Sequence, residues 1–236
     1  MLVLGLETAT EQVGVAIGGS DGLLASFRAA GARRHAETLT PAVDFLCRQA
    51  GVTMADLDLV AVDVGPGLFT GLRVGIATGK AIAYARGIPI LGLSSLELLA
   101  FPVRLTDRRI VPVVDARRGE VYHSAYRRRE SGGIEPIQEP AVSAPSALAR
   151  HLAALDEECL LVGNGVRRYA DAFSGLEHCT MAPADFDHPS AEAMIGILGE
   201  EGQEGQDGRE AGRGAQSDLE ILYLRPPDTD GPPSPG

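Results

Sequence analysis

Between Phe69 and Arg86 the small residues Gly71, Gly75, Gly79 and Ala83 recur at every fourth position. In a helix that spacing stacks them on one side as a ridge almost bare of side chain. A glycine inside a helix costs about 1 kcal/mol relative to alanine, so three of them are tolerated where other backbone must come very close. The ridge therefore has to lie against the protein's own sheet or against a second helix crossing at short distance. Gly87 supplies a residue suited to close the helix.

The segments around this helix fix the class. Residues 1–6 are continuously apolar and read as a buried strand that stops at the polar turn Glu7-Thr8-Ala9-Thr10. Strands are predicted at 12–17 and 23–28, separated by a Gly-rich turn, which makes an antiparallel meander. Leu39, Val43, Leu46 and Ala50 then follow helical spacing, predicting a helix over 35–50 that Gly51 ends. Strand 57–64, the Gly65-Pro66-Gly67 loop, helix 69–86 and strand 88–93 complete the order βββαβαβ. That order is a mixed sheet with packed helices, an α/β fold.

A second pass opens with strands at 110–114 and 120–127 around the turn Asp115-Ala116-Arg117-Arg118-Gly119, then a helix over 145–155 and a strand at 159–162. The boundary between two related lobes is set near 102–108, giving lobes 1–103 and 104–225. Residues 200–216 hold almost no apolar side chain and are expected to be a mobile linker. The Pro-rich end, 226–236, is expected to be a disordered tail, and the element 219–224 between them to dock onto the body.

Charge removes some function classes. With 21 basic and 32 acidic residues the chain carries net −11, which repels phosphate polyanions and disfavours a protein that grips nucleic acid alone. Residues 1–103 are nearly neutral, with seven basic and nine acidic side chains, as suits a lobe that buries itself against another protein and equally a well-packed core domain. Cys47, Cys159 and Cys179 are odd in number and form no C-x-x-C pair, so a reducing cytoplasm is expected. No apolar run approaches the roughly 20 residues of a membrane span.

Few motifs carry chemistry. The stretch from Gly65 to Arg73 joins a strand end to a helix start, where backbone N–H groups can cradle an anion or simply make a tight turn capped by Thr70. Gly79-Lys80 sits mid-helix with Ala81 behind it and is no phosphate loop. Glu7 and Asp115 each end an apolar strand, one per lobe, and such a pair can hold a magnesium–phosphate group in a cleft. Among His35, His123, His151, His178 and His188 none has a second histidine four residues on, so no metal site is expected. Ser94-Ser95 lacks a nucleophile elbow, and Arg127-Arg128-Arg129 reads as a basic patch or a solvated strand end.

The stretches LVLGLETAT, RRHAETLTPAVDFL, VDVGPGLFTGLRVGIATGKAIA, VVDARRGEVY and ILYLR, in this order, resemble the TsaB (YeaZ) family of tRNA threonylcarbamoyladenosine biosynthesis proteins over nearly residues 1–225. The resemblance implies a two-lobed actin-like, ribonuclease-H-like fold. It also implies a non-catalytic sister of TsaD, the transferase that modifies adenosine at position 37 of tRNAs reading ANN codons, and which pairs a TsaB partner and is joined by the ATPase TsaE. The histidine pair that holds the metal in TsaD is broken here, since Leu39 follows His35 at the second position; no catalytic residue is expected, and the family's older glycoprotease grouping loses its chemistry. The partner face implied is a four-helix bundle made by helices 35–50 and 69–86 through Leu39, Val43, Leu46, Phe69, Leu72, Arg73, Gly75, Ile76 and Gly79. No cofactor is assigned to the chain itself, the place left open for ATP or ADP being the assembly with TsaD and TsaE; tRNA is expected only through the complex, and a homodimer is left open for the chain in isolation. Glu7, Thr8, Gly65, Gly67 and Asp115 are expected as a vestigial phosphate site, and the rival reading, an actin-like kinase or ATPase, sets the phosphates among the same residues. Glu7 stands where the family usually has aspartate, and the 200–216 segment is longer and more acidic than its counterpart.

Overall fold

Strand β1 (Leu2–Glu7) is apolar on both faces, and the structure uses both: Val3 faces a core between two sheets, Leu4 and Leu6 a core under two outer helices. The computed structural model describes residues 1–31, 34–130, 132–206 and Leu222. β1 pairs antiparallel with β2 (Gln12–Gly19) and parallel with β4 (Leu59–Gly65). With β3 (Gly22–Ala30) and β5 (Ile90–Ser94) at the edges, the first sheet has the order β3-β2-β1-β4-β5.

The second sheet repeats the plan with β6 (Arg109–Asp115), β7 (Val121–Arg128), β8 (Ile134–Ser143), β9 (Cys159–Val162) and β10 (Cys179–Met181) in the order β10-β9-β6-β7-β8. β8 carries Pro136 and Pro140 and lies at the edge, where a missing N–H does least harm. Those prolines hid it from a reading by pattern.

Helices fill three layers. α1 (His35–Ala50) and α2 (Phe69–Arg86) cover the outer face of the first sheet. Gly51 and Gly87 close them at φ 67° and 65°. Between the sheets lie α3 (Ser95–Ala100) and α7 (Ala191–Gln206). α4 (Pro145–Ala153), α5 (Asn164–Arg168) and α6 (Ala170–Phe173) cover the far side of the second sheet. Two mixed sheets with such helices are the actin-like α/β architecture.

Two expectations change. α7 departs from the 104–225 lobe: its Ala191, Met194 and Ile195 pack onto the first sheet, against β1 and β2, so the chain returns across the boundary. The segment expected as linker from Glu200 starts as the last two turns of α7, and the Glu200 carboxylate takes the Arg104 guanidinium at 2.6 Å. Glu and Gln are good helix formers, and an apolar face upstream carries them. Residues 207–216 and the tail 226–236 lie outside the described residues. Of the 219–224 element only Leu222 lies inside them, and its N–H donates to the Val64 carbonyl at 2.8 Å. Among the described residues no helix is long and apolar enough to cross a membrane.

Candidate functional site

The turn after β1 is where an actin-like fold would receive phosphate, and here its polar groups are already engaged. Glu7 is buried, and its carboxylate accepts the Ala9 N–H at 2.7 Å and a second backbone bond from Thr10. The Thr8 hydroxyl donates to the Gly71 carbonyl at 2.8 Å, Leu68 N–H donates to the Ala9 carbonyl at 2.6 Å, and His35 Nε2 meets the Thr10 carbonyl at 2.8 Å. Thr8 and Gly67 thus lie against α2 and the turn after β1, Gly65 donates its N–H to Asp63, and the Glu7 carboxylate holds the Ala9 and Thr10 amides.

The small-residue ridge explains the closeness. A Cβ at Gly71 would stand 2.0 Å from the Thr8 carbonyl oxygen, one at Gly75 2.3 Å from Thr8 Oγ1, and one at Gly79 2.5 Å from a Val62 methyl. The ridge presses on the turn after β1 and on β4. Gly67 is equally tight, with a Cβ falling 2.3 Å from the Ala9 carbonyl oxygen.

Beside Glu7 stands a second buried acid that pattern reading passed over. Asp63, in the apolar strand β4, accepts from Gly65 N–H at 2.7 Å and from the Ser95 hydroxyl at 2.6 Å through Oδ1, while Oδ2 is buried without a partner. Burial raises the Asp63 carboxyl against the pull of those two bonds. Burial first, then the negative charge of Asp63, raises Glu7 well above the usual carboxylate range. A lone acid inside a strand of valines was the signal available in the sequence.

Asp115, at the end of β6, is not free for a cation. Its Oδ1 accepts from Tyr169 OH and Arg117 N–H, each at 3.0 Å, and its Oδ2 faces Arg168 Nε at 3.2 Å and an Arg117 nitrogen at 3.5 Å. Arg117 also reaches Glu11 at 2.9 Å, tying the turn after β6 to the turn after β1. Among the described residues no group of three acidic, histidine or cysteine side chains could hold a metal ion.

The outer face of α1 and α2 is the other site. Leu39, Val43, Leu46, Leu72 and Ile76 are buried in this lobe's own core, and Gly75 and Gly79 lie on its sheet. Their one-sided apolar spacing is accounted for by the intramolecular core, and of these residues Val43 also lines the groove between the helices. Two of the expected set do face outward, Phe69 and Arg73, with the guanidinium 3.9 Å above the ring. The sequence reading missed the rest of that face. Phe45 is 46% exposed and Tyr84 92% exposed. Between the helices runs an open, mostly apolar groove of about 640 Å³ lined by Val43, Cys47, Val52, Met54, Ala81 and Ile82.

Comparison with known proteins converges on one family. Residues 28–182 match the family model described as "TsaD: tRNA N6-adenosine threonylcarbamoyltransferase". The chain is 30% identical over 201 residues to the tRNA threonylcarbamoyladenosine biosynthesis protein TsaB of Escherichia coli, covering 84% of this chain and 85% of that one. It is 35% identical over 137 residues to the Bacillus subtilis protein of the same name, covering 58% of this chain and 59% of that one. Among solved structures, a Pseudomonas aeruginosa protein described as similar to peptidase YeaZ superposes with a TM-score of 0.79 at 28% identity, covering 95% and 99% of the two chains.

Proposed function

Because this chain belongs to the TsaB family of tRNA threonylcarbamoyladenosine biosynthesis proteins, we propose that it is an accessory subunit that binds a TsaD-type transferase and does no chemistry itself. The observation that carries the reading is the contrast between its two sites. The cleft where related folds handle phosphate is satisfied by its own side chains, Glu7 on the loop amides and two arginines on Asp115. The outer face of α1 and α2 holds an apolar groove and three exposed aromatics, Phe45, Tyr84 and Phe69, the last beneath the Arg73 guanidinium. Aromatic side chains that are costly to expose and stiff to immobilise are the usual anchors of protein interfaces.

The lost metal chemistry fits the same reading. His35 is buried and spends Nε2 on the Thr10 carbonyl, and Leu39, one helical turn later, lies wholly inside the core. The rival reading, a nucleotide-dependent kinase or ATPase, needs free amides after β1 and a free carboxylate after β6; neither is free.

The test is reconstitution of tRNA modification with TsaD and the remaining enzymes of the route. Threonylcarbamoyladenosine should form with both proteins present, and fall sharply when this chain is left out. Modification that this chain carries out without TsaD would overturn the accessory role, and equal yields with and without it would overturn its participation.

A further inference from the structure

The register of the second sheet places two of the three cysteines side by side. β10 runs parallel to β9, and Cys179 is the direct partner of Cys159. Residues in direct register on neighbouring strands stand about 5 Å apart with side chains on the same face, and a disulfide spans Cα atoms about 4.4–6.8 Å apart. Cys159 is fully buried, whereas Cys179 lies half-buried on a three-residue edge strand that can adjust. Nothing in the linear spacing announces this pair, because the strands that hold it are joined through α5 and α6.

We propose that Cys159 and Cys179 are a redox-active dithiol that closes to a reversible intramolecular disulfide when hydrogen peroxide persists. The half-buried Cys179 Sγ, as thiolate, attacks the peroxide O–O bond and becomes a sulfenic acid, releasing one water once its leaving oxygen is protonated. Cys159 Sγ then attacks that sulfur, the S–OH bond breaks, and a second water leaves with the Cys159 proton. Two electrons pass from the sulfurs to the peroxide, so two thiols and one peroxide give one disulfide and two waters. Burial raises both thiols, Cys159 to about 12, so little thiolate is present at neutral pH and the pair stays reduced under ordinary conditions.

The bridge would close a loop that holds the clasp of the cleft. Asn164, Arg168 and Tyr169, all between the two cysteines, bond the backbone and carboxylate of Asp115, whose neighbour Arg117 reaches Glu11 in the first sheet's turn. Oxidation would therefore stiffen the contact between the lobes without touching the α1–α2 face. Cys47, on α1 with Sγ 3.8 Å from Met54 Sδ, has no cysteine partner in register and serves as an internal control.

The experiment exposes the full, reduced chain to hydrogen peroxide, alkylates remaining thiols and weighs the protein and its tryptic peptides. The expected product has lost two hydrogens, carries alkyl on Cys47 alone, and yields one cross-linked peptide pair containing Cys159 and Cys179 that dithiothreitol separates. Its melting temperature should rise on the order of 5 °C, and Cys179→Ser should show neither the mass loss nor the rise. Three alkylated cysteines after prolonged exposure, sulfonic acid without a cross-link, or a bridge that involves Cys47 or a second chain would overturn the proposal.

Discussion

Replacing Gly71 by alanine adds one methyl group, and the structure says where it lands. The new Cβ would sit 2.0 Å from the Thr8 carbonyl oxygen and 3.4 Å from His35 Nε2, where ordinary contact begins near 3.4 Å. The obstacle is backbone at the end of a central strand, so it cannot swing aside; α2 must move out by roughly 1.4 Å or the turn after β1 must deform. Either movement breaks the 2.8 Å bond from Thr8 to the Gly71 carbonyl. Overpacking of this kind costs up to about 3 kcal/mol, and alanine's better helix propensity returns about 1 kcal/mol. The net loss of about 2 kcal/mol corresponds to a melting temperature lower by roughly 4–8 °C for a chain of this size. Circular-dichroism melting of Gly71→Ala beside Gly175→Ala, which meets nothing within 4 Å, isolates the close approach. A Gly71→Ala protein that melts at or above the wild type would refute the claim that the ridge lies on the chain's own β1 turn.

Other outcomes follow from the same geometry. Asp63 titrates at about 7 in the fold against an ordinary 3.8, so the folded state holds the extra proton between those values, and stability from this group, full below about 4, is lost as pH rises through 7. Asp63→Asn should therefore flatten the fall in melting temperature between pH 5 and pH 8; an unchanged slope would show that the pair does not titrate there. Isothermal titration with ATP and magnesium should show no binding at physiological concentration, since Glu7 holds the Ala9 and Thr10 amides; saturable heat would restore the nucleotide reading. Tyr84→Asp, at a side chain 92% exposed, should leave the melt within about 0.5 kcal/mol of the wild type and weaken TsaD binding about thirty-fold, near 2 kcal/mol. Unaltered affinity would place the partner elsewhere.

Much of the architecture was legible because its signals are local. The apolar run ending at Glu7, the 3.6-residue spacing of Leu39, Val43 and Leu46, and the closing glycines Gly51 and Gly87 each follow from sterics within a few residues. β8 was hidden by its prolines, and α7 by a tail of Glu, Gln and Gly that resembles a linker until its apolar upstream face is seen packed. The site was harder to read for a physical reason. An apolar stripe states that something covers a helix, not what covers it, and on α1 and α2 the cover proved to be the chain's own sheet. Which acid meets which partner depends on contacts far apart in sequence, as with Asp63 and Ser95 or Asp115 and Tyr169, and no spacing rule conveys those.

The central claim, that the outer face of α1 and α2 seats a TsaD-type partner, is tested most directly by weighing the mixture. Light scattering of this 24.7 kDa chain with its TsaD should give the mass of an assembly containing both chains. The double variant Phe45→Asp, Tyr84→Asp should melt like the wild type yet elute apart from TsaD. A stable complex that survives both substitutions, or wild-type proteins that never associate, would contradict the account.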